Sequence, residues 1–262
     1  MILVTGATGN LGTSVVDQLL KVGSKDQFIV SSSSDAGILK LKDKGLRTRL
    51  ANFSDPKTLL AAFKGIDKLL LISTMDENRF GQHKNVIDAA KAQGVQHIIY
   101  TSLVIKDIST SGVKMLMNSH FETEEYIKES GLKYTILRNT MYADALSQIL
   151  GPNGLHQDIS LPGGSGKVPY ALRREMGEAT ANLLLQDGHE NKIYNITGSQ
   201  AYSYQDLVDQ FNKMGAENLA YHDISEEDFI KALQNAGFPD FAIYLHAGTI
   251  ADIKNHQYEI VD

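Results

Sequence analysis

The N-terminal segment constrains the fold more than any other part of the chain. A short apolar run over residues 2–5 leads directly into a turn with glycine at three evenly spaced positions, Gly6, Gly9 and Gly12, and a helical pattern follows over residues 11–22. Glycines let the backbone turn sharply and approach a ligand closely, and the free N–H groups of a helix N-terminus attract negative charge. A glycine pattern alone is weak evidence. Between a strand and a helix, however, it predicts a cradle for the pyrophosphate of a dinucleotide.

Strand-like and helical patterns alternate over the rest of the first half. The strand-like runs cover residues 2–5, 27–31, 47–51, 68–73, 97–102 and 134–137, and the helical patterns cover residues 11–22, 36–44, 56–63, 81–93 and 118–130. Short, continuously apolar strands are typical of a parallel sheet covered on both faces, and helices of this length join such strands by right-handed crossovers. We therefore predict an α/β fold with a Rossmann-type doubly wound parallel sheet.

The pattern changes after about residue 140. Turn-rich segments over residues 151–154 and 162–166 are followed by helical patterns over about 174–186, 204–214 and 226–236 and strand-like runs over 192–197 and 218–223. No internal repeat or low-complexity linker separates the two parts. We predict a dinucleotide-binding Rossmann domain over residues 1–140 and a smaller substrate-side α/β lobe over residues 141–262 packed against it.

The composition is that of an ordinary globular chain, with 42% hydrophobic and 21% charged residues among 262. The formal net charge is −6 and there is no basic stripe, so we expect no nucleic-acid partner. The absence of cysteine excludes disulfides, thiol catalysis and cysteine-bound metal. No apolar run reaches the ~18–20 residues needed to span a bilayer. Because a strand begins at residue 2, we expect no signal peptide and a cytoplasmic protein.

Polar residues stand where several predicted strands end. They are Thr5, Ser31, Ser32, Ser33, Ser34, Asn52, Ser73, Thr74, Thr101, Ser102, Arg138 and Asn139. In an open α/β sheet the ligand binds beyond the carboxyl ends of the strands. Any one of these positions fits an ordinary strand end equally well, but the set, in register with the glycine turn, predicts a ligand-lined edge.

The end of the second strand normally distinguishes the two nicotinamide cofactors. An acidic residue there binds the ribose 2′-hydroxyl of NADH, and an arginine accommodates the 2′-phosphate of NADPH. Here the four serines at 31–34 are followed by Asp35, and there is no lysine or arginine between Lys25 and Lys40. The local sequence leaves NAD(H) and NADP(H) both open.

Two other patterns do not predict sites. Residues 163–168 are similar to a phosphate-binding loop, but Leu161 stands where its leading glycine belongs, and Val168 follows the lysine where Ser or Thr is required. A flexible turn that carries Lys167 is the better interpretation. The eight histidines are never three or four residues apart, and no acid–histidine cluster has zinc spacing, so we expect no metal site.

The helix predicted to begin near Asn118 lacks the usual catalytic pair of alcohol and ketone reductases. That pair is a tyrosine whose pKa is lowered by a lysine one helical turn later, and residues 115–124 contain neither residue type. His120 is the candidate in this segment, because an imidazole titrates near neutral pH and can donate a proton or bind the nicotinamide ribose. The alternative is a partly buried histidine held by a backbone carbonyl.

Eight segments of the chain carry a family resemblance: residues 5–12, 68–73, 85–91, 100–102, 120–124, 134–139, 188–195 and 225–229. Together they resemble the NmrA-like branch of the atypical short-chain dehydrogenases, and within it the bacterial NAD(P)H:quinone oxidoreductases and triphenylmethane reductases. The resemblance implies hydride transfer from a nicotinamide to a small-molecule quinone-like or dye-like conjugated acceptor, without a flavin. It favours NADP(H) slightly over NAD(H).

The resemblance also implies roles for individual residues. The residues implied to hold the pyrophosphate are Gly6, Thr8, Gly9, Asn10, Leu11 and Gly12. The ribose and nicotinamide would be flanked by Ser73 and Thr74, and the reactive end would be lined by Asn139, Thr140 and Met141. His120 stands where the lysine of the Tyr–Lys pair belongs, with Leu116 at the tyrosine position, and is the candidate catalytic residue. Ser33 stands near the arginine position of NADPH-preferring relatives, and with Asn52 and Thr101 it completes the candidate cofactor-binding set.

Two functions are compatible with this resemblance. The leading one is an NAD(P)H-dependent oxidoreductase of the quinone reductase type. The alternative, favoured by the missing Tyr–Lys pair, is a non-catalytic dinucleotide-binding redox sensor that acts through a protein partner; a sugar-nucleotide epimerase or dehydratase would need the absent tyrosine. The resemblance further implies a helix beyond Asp262, without which a more open acceptor pocket is expected. No coiled-coil pattern or exposed apolar stripe indicates the oligomeric state.

Overall fold

A computed structural model describes residues 1–150, 157–215 and 218–262. Its strands are β1 (Ile2–Val4), β2 (Phe28–Ser32), β3 (Thr48–Leu50), β4 (Lys68–Leu71), β5 (His97–Leu103), β6 (Lys133–Asn139), β7 (Ile159–Ser160), β8 (Lys192–Ile196) and β9 (Tyr221–His222). Its α-helices are α1 (Asn10–Val22), α2 (Asp35–Asp43), α3 (Pro56–Ala62), α4 (Arg79–Ala92), α5 (Lys114–Glu129), α6 (Leu146–Leu150), α7 (Arg173–Leu184), α8 (Tyr204–Lys213), α9 (Glu226–Asn235) and α10 (Asp240–Lys254). The turn predicted over residues 151–154 lies outside the described residues.

Seven strands form one sheet in the order β3-β2-β1-β4-β5-β6-β8, and β1 to β6 pair in parallel. The predicted α/β doubly wound fold is confirmed. The strand order reverses at β1, which pairs with β2 on one side and with β4 on the other. Two connections leave the sheet at this reversal: the glycine turn between β1 and α1, and residues 72–78 between β4 and α4, called the β4 loop below. Such a reversal is where open α/β sheets bind their ligands.

The centre of the sheet is apolar on both faces. Leu69, Leu70 and Leu71 of β4 are fully buried, as are Leu3 and Val4 of β1. Continuous burial of neighbouring residues, which point to opposite faces, requires helices on both sides of the sheet. The strand ends that carry the polar residues are therefore held by a closely packed core.

Helix α1 packs against α7 at very short range. A Cβ atom on Gly177 of α7 would lie 2.5 Å from the Cβ of Ser14, so glycine is needed for this approach. On its own buried side α1 presents the residues Leu11, Val15, Val16 and Leu19. The position of its N-terminus next to β1 is fixed by this packing.

The described chain forms two compact units. One comprises Met1–Leu103, Asn118–Asn139 and Arg173–Tyr194, and the other comprises Val104–Met117, Thr140–Leu172 and Asn195–Asp262. Each unit is assembled from three separate segments. The division into residues 1–140 and 141–262, which cuts the chain once, stays a prediction.

In the second unit, α10 anchors the segment that precedes α5. The buried carboxylate of Asp252 accepts hydrogen bonds from Ser111 Oγ at 2.6 Å and from the Gly112 N–H at 2.7 Å. Gly112 and Gly248 face each other: a Cβ on Gly112 would lie 2.9 Å from Gly248 Cα, and a Cβ on Gly248 would lie 2.6 Å from Gly112 O. Neither glycine can be replaced without a shift of the backbone.

Several predicted element boundaries differ from the structure by one to four residues, and the end of β4 and the start of α5 are two of them. Strand β4 ends at Leu71 and not at residue 73, because the N–H groups of Ile72 and Ser73 donate to side chains, Thr5 Oγ1 at 3.1 Å and Thr101 Oγ1 at 2.9 Å. Helix α5 begins at Lys114 and not at residue 118. Sequence-based boundaries fail here because the partners that end β4 come from other strands.

The C-terminal part departs further from the sequence prediction. The strand predicted over residues 218–223 is reduced to the two residues of β9, paired in parallel with β7. Helix α10 was not predicted, although Pro239 and Asp240 are ordinary residues at a helix start. Its apolar residues surround the helix, so no 3.6-residue period marks it.

Candidate functional site

The glycine turn after β1 forms a tight backbone cradle, called the glycine cradle below (residues 6–12). Gly6 has φ +60°, a conformation that side-chain-bearing residues rarely adopt, and its carbonyl accepts the Gly9 N–H at 3.0 Å. A Cβ on Gly12 would lie 2.1 Å from Gly6 O. Glycine is therefore a steric requirement at Gly6 and Gly12, which keeps the backbone of the cradle bare.

The N-terminus of α1 opens into this cradle. Helix α1 begins at Asn10; its N-cap residue Gly9 provides no side-chain hydrogen bond, and its first turn contains no acidic residue. Thr8, Gly9 and Asn10 are exposed, whereas Leu11 and Gly12 are buried. A helix start without a side-chain cap leaves N–H donors and the positive end of the helix dipole available to an anion.

The β4 loop is built in the opposite way, from side chains that hold its backbone. Three consecutive N–H groups, those of Ile72, Ser73 and Thr74, donate to Thr5 Oγ1, Thr101 Oγ1 and His83 Nε2. The Ser73 and Thr74 side chains are half-buried, and Thr101 is buried. Thr101 thus holds the backbone of the β4 loop, and Ser73 and Thr74 stand on that fixed backbone.

His120, the candidate catalytic residue, is buried on α5. Its Nδ1 lies 2.8 Å from the hydroxyl of Tyr100, which is its only hydrogen-bond partner within the described chain. Burial, together with the nearby Arg79 and His83, lowers the pKa of His120 well below its usual value. Burial raises the pKa of Tyr100, so the tyrosine keeps its proton. The imidazole is therefore neutral near pH 7 and acts as a hydrogen-bonding group.

Arg79 and His83 of α4 are functional candidates that the sequence prediction missed. Both are buried and contact the β4 loop: Arg79 Nε donates to Thr74 O, and His83 Nε2 accepts the Thr74 N–H at 3.4 Å. A buried arginine is rare without partners. The available signal was an arginine and a histidine one helical turn apart, just after the Ser73–Thr74 strand end.

Asn139, at the end of β6, has a buried side chain without hydrogen bonds. Neither its Oδ1 nor its Nδ2 has a partner among the described residues. In the second unit, Thr140 Oγ1 is likewise buried without a partner in the described chain, while its N–H donates to Ile196 O. Met141 is half-buried. An unpaired buried amide costs about 1–3 kcal/mol, so Asn139 and Thr140 have hydrogen-bonding capacity reserved for a ligand or water.

Ser102 and Arg138 are used inside the protein rather than at a ligand edge. The buried Glu124 of α5 accepts from Ser102 Oγ at 2.6 Å and from Arg138 Nε at 3.0 Å and Nη2 at 2.6 Å. This charged pair connects α5 to the ends of β5 and β6. Polar residues at a strand end thus have two different uses in this sheet.

The end of β2 provides little charge for cofactor discrimination. Ser32 Oγ accepts the Ser34 N–H at 3.4 Å, and Ser34 Oγ caps α2 by accepting the Gly37 N–H at 3.2 Å. Ser33 is exposed and makes no hydrogen bond within the described residues. At the end of β3, Asn52 Oδ1 accepts the Ser54 N–H at 2.9 Å. Among the serines of this strand end, Ser33 is the one whose hydroxyl makes no hydrogen bond within the described residues, so it is available to a ribose or phosphate.

The glycine-rich turn at residues 163–166 in the second unit is anchored by its surroundings. Its Gly163 and Gly164 N–H groups donate to Tyr221 Oη and Asp223 Oδ1, at 3.0 and 3.1 Å. Lys167 Nζ lies 3.3 Å from Asp206 Oδ2. The donors of a phosphate-binding loop are thus already occupied here.

Neither a metal cluster nor a membrane-spanning helix is found in the described parts of the chain. No group of three or more His, Asp or Glu residues there is arranged to hold a metal ion. None of the helices in those parts is long and apolar enough to cross a bilayer.

The sequence and fold match proteins of known type. The family model described as NmrA-like matches residues 1–260. The chain belongs to the NmrA-like family. Quinone oxidoreductase 2 of Escherichia coli (strain K12) is 37% identical over 242 residues, which make up 92% of this chain and 83% of that protein. The resemblance inferred from the sequence motifs is confirmed.

Two solved structures of reductases superpose closely on this member of the family. The Citrobacter sp. triphenylmethane reductase complexed with NADP(H) matches with a TM-score of 0.89 and 30% identity, covering 100% of this chain and 92% of that one. The NADPH-dependent quinone oxidoreductase QOR2 from Escherichia coli, complexed with NADPH, matches with a TM-score of 0.88 and 34% identity, covering 98% of this chain and 90% of that one.

Proposed function

We propose that this protein is an NAD(P)H-dependent oxidoreductase that reduces a quinone or a related dye-like conjugated acceptor without a flavin. The observation that carries the proposal is the glycine cradle beneath the uncapped N-terminus of α1. The described chain contains backbone donors there and no side chain to occupy them. Relatives whose names specify quinone or triphenylmethane reduction, solved with NADP(H) or NADPH, support the same interpretation.

The residues of the first unit fit a nicotinamide dinucleotide. The pyrophosphate would lie on the glycine cradle (Gly6, Thr8, Gly9, Asn10, Leu11 and Gly12), at the start of α1, which has no side-chain cap. Glycine at position 12 allows the helix start to lie against the turn, since a Cβ there would be 2.1 Å from Gly6 O. Ser73 and Thr74 would flank the ribose and nicotinamide, since the β4 loop leaves the sheet beside the cradle. Bound reduced cofactor supplies the hydride.

Asn139 and Thr140 would contribute hydrogen bonds near the reactive end. Their buried polar atoms lack partners in the described chain. A ligand amide or hydroxyl that pairs with them would therefore remove the free-energy cost of a buried polar group without a hydrogen bond. A primary amide has both donors and an acceptor and so suits a carboxamide, the polar group of nicotinamide. Met141 would contribute apolar contact to the acceptor.

His120 would orient rather than protonate the acceptor. Its lowered pKa leaves no imidazolium near neutral pH, whereas a neutral ring can still donate or accept one hydrogen bond at Nε2. A quinone accepts hydride readily, and its reduced oxygens can take protons from water, so the main requirement is close contact between donor and acceptor. This explains how the chain can work without the Tyr–Lys pair.

NADP(H) is the cofactor we favour, with NAD(H) as a competent second. The relatives solved with NADP(H) and NADPH support the first choice. At the end of β2, however, Ser33 is exposed and uncharged, and it would provide a hydrogen bond but no charge to a 2′-phosphate. We therefore expect weaker discrimination than an arginine at this position would give.

The test is the rate of NADPH oxidation by the purified protein, with NADH measured alongside, in the presence and absence of 1,4-naphthoquinone. The proposal expects oxidation that depends on the quinone, and a protein without a flavin absorption spectrum. A protein that binds NADPH but does not oxidise it, whichever quinone or dye is added, would instead be the redox sensor. A copurifying flavin would contradict direct hydride transfer from the nicotinamide to the acceptor.

A further inference from the structure

The backbone of Thr74 is held at both its N–H and its carbonyl by helix α4. Its N–H donates to His83 Nε2 at 3.4 Å and its carbonyl accepts from Arg79 Nε. Its hydroxyl donates to Gln82 Oε1 at 3.0 Å. Three residues of one helical turn therefore fix the orientation of one residue in the β4 loop.

The hydrogen bonds around His83 decide its tautomer. Thr123 Oγ1 donates its single proton to Ser119 O at 2.7 Å, so it can only accept from the His83 Nδ1, which lies 3.0 Å away. The ring proton of His83 is therefore on Nδ1, and Nε2 carries the free lone pair. That assignment agrees with the Thr74 N–H directed at Nε2.

The surroundings of His83 keep it in this neutral form. The ring is fully buried, and burial, followed by the charge of Arg79, lowers its pKa to about 3. Besides Arg79 and the neutral His120, the groups near it include the Phe53 ring, the Tyr100 ring and Thr123 of α5, none of which is negatively charged near neutral pH. A proton on Nε2 would both remove the acceptor for Thr74 and place a second positive charge near Arg79.

We propose that His83 is a positioning residue: as the neutral Nδ1–H tautomer, it accepts the Thr74 N–H and so fixes the loop that receives the nicotinamide end of the cofactor. This rests on the proposed function, because the β4 loop has this role only if a nicotinamide binds there. His83 acts through Thr74 and is not itself a catalytic residue. A misplacement of about 1 Å in a hydride-transfer geometry can cost about 100-fold in rate.

The experiment compares two substitutions, each of which keeps one of the two hydrogen-bonding positions of the imidazole. In His83→Gln the amide oxygen can lie near the position of Nε2 and accept from Thr74. In His83→Asn the shorter amide can lie near Nδ1 and donate to Thr123, but it leaves the Thr74 N–H without an acceptor. Thermal unfolding reports whether both variants fold and how much stability each loses.

Turnover with NADPH and 1,4-naphthoquinone, the Kd of NADPH from a fluorescence titration, and amide exchange at Thr74 are measured for the wild type and both variants. We expect kcat to fall about tenfold or more in His83→Asn while the Kd changes less than about threefold, because the cradle binds the distant half of the cofactor. We expect His83→Gln to recover most of kcat and to slow Thr74 exchange again.

The outcomes distinguish the positioning role of His83 from the reductase function. A His83→Asn enzyme with wild-type kcat, or a His83→Gln enzyme as slow as His83→Asn, overturns the positioning role while the reductase function stands. A wild type that does not bind NADPH overturns both. A wild type that binds NADPH without turnover overturns the reductase, and Thr74 exchange with NADPH bound then decides whether His83 holds the loop.

Discussion

The glycine cradle and the β4 loop leave the sheet side by side, after β1 and β4, but are built by opposite means. The cradle depends on missing side chains: a Cβ on Gly12 would lie 2.1 Å from Gly6 O, and α1 begins without a side-chain cap. The β4 loop depends on side chains from elsewhere, since Thr5, Thr101 and His83 accept its successive N–H groups.

The difference fits the ligand group that we propose for each region. A pyrophosphate is recognised by charge and needs only bare N–H donors at a helix start. A nicotinamide ring has to be held at a fixed distance and angle from an acceptor, and this needs a rigid backbone. In the proposed complex, the loop with open donors binds the pyrophosphate and the loop with satisfied donors positions the nicotinamide.

The largest effect expected is at the cradle. In Gly9→Glu a carboxylate occupies the place of the pyrophosphate; the helix itself tolerates negative charge at its N-terminus. We expect the affinity for NADPH, measured by fluorescence titration, to fall by about 100-fold or more, which is at least ~2.7 kcal/mol.

Gly9→Ala is the matched control for this variant, because a Cβ at Gly9 would lie 3.3 Å from Gly6 O and adds no charge. We expect it to lose less than about tenfold in affinity. If Gly9→Glu bound NADPH as the wild type does, the cradle would not be the pyrophosphate site.

The second prediction distinguishes the two loops by pH. His83 has a pKa of about 3 in the folded protein, against about 6.5 for a histidine in an unfolded chain, so the unfolded chain takes up its proton first as the pH falls. Its contribution to the free energy of unfolding is complete above pH ~6.5 and is lost toward pH ~3, by about 2 kcal/mol between pH ~7 and pH ~5.

Urea unfolding at several pH values measures this dependence. Glutamine does not titrate, so His83→Gln should show a smaller loss of unfolding free energy on acidification, while Gly9→Ala should retain the wild-type dependence. Identical curves for His83→Gln and the wild type would show that another group, such as the buried His120 with its lowered pKa, accounts for the whole loss.

A smaller effect is expected at the end of β6. Asn139 differs from both loops, because its polar side chain is present but has no hydrogen-bond partner in the described chain. Asn139→Leu replaces an unpaired buried amide by an apolar side chain of similar size. We expect the cofactor-free protein to gain about 1 kcal/mol in unfolding free energy and kcat to fall about tenfold.

Asn139→Asp tests the same position with the volume kept, but with both amide N–H donors replaced by a carboxylate oxygen. Stability measured without cofactor and turnover measured with it must move in opposite directions for Asn139→Leu. A variant that loses stability and keeps its turnover would make Asn139 a structural residue.

The smallest effect is expected at His120. Removal of one hydrogen bond from a neutral ring costs about 0.5–1.5 kcal/mol, so His120→Ala should lower kcat about threefold to tenfold, with a smaller change in the Kd of NADPH. Tyr100→Phe is the companion variant, since the Tyr100 hydroxyl lies 2.8 Å from His120 Nδ1. An unchanged kcat in His120→Ala would return His120 to a structural role.

The contrast between the loops also explains what the sequence could reveal. The cradle is local: a strand, spaced glycines and a helix start lie within adjacent residues, so the fold and the pyrophosphate site could be predicted together. The β4 loop, in contrast, is held by tertiary contacts. Its acceptors come from Thr5 after β1, from β5 and from α4. The sequence shows an arginine and a histidine one helical turn apart after Ser73 and Thr74, but it does not show that their side chains contact the backbone of Thr74.

The polar strand ends show the same limit. Ser102, Arg138 and Asn139 looked alike in sequence as residues of a ligand edge. In the structure Glu124 occupies the first two, whereas the Asn139 amide has no partner in the described chain. Which polar group is satisfied depends on a carboxylate one helix away, and that information is absent from the strand itself.

The paired glycines of the second unit have an evolutionary consequence. At Gly112 and Gly248 a new Cβ would meet backbone atoms of the opposite glycine, and a backbone cannot be exchanged for a smaller one. No compensating mutation at the facing position can therefore rescue a change at either. Each of the two positions is therefore expected to remain glycine, whatever happens at the other. The two positions should not appear as a covarying pair, even though their residues are in contact.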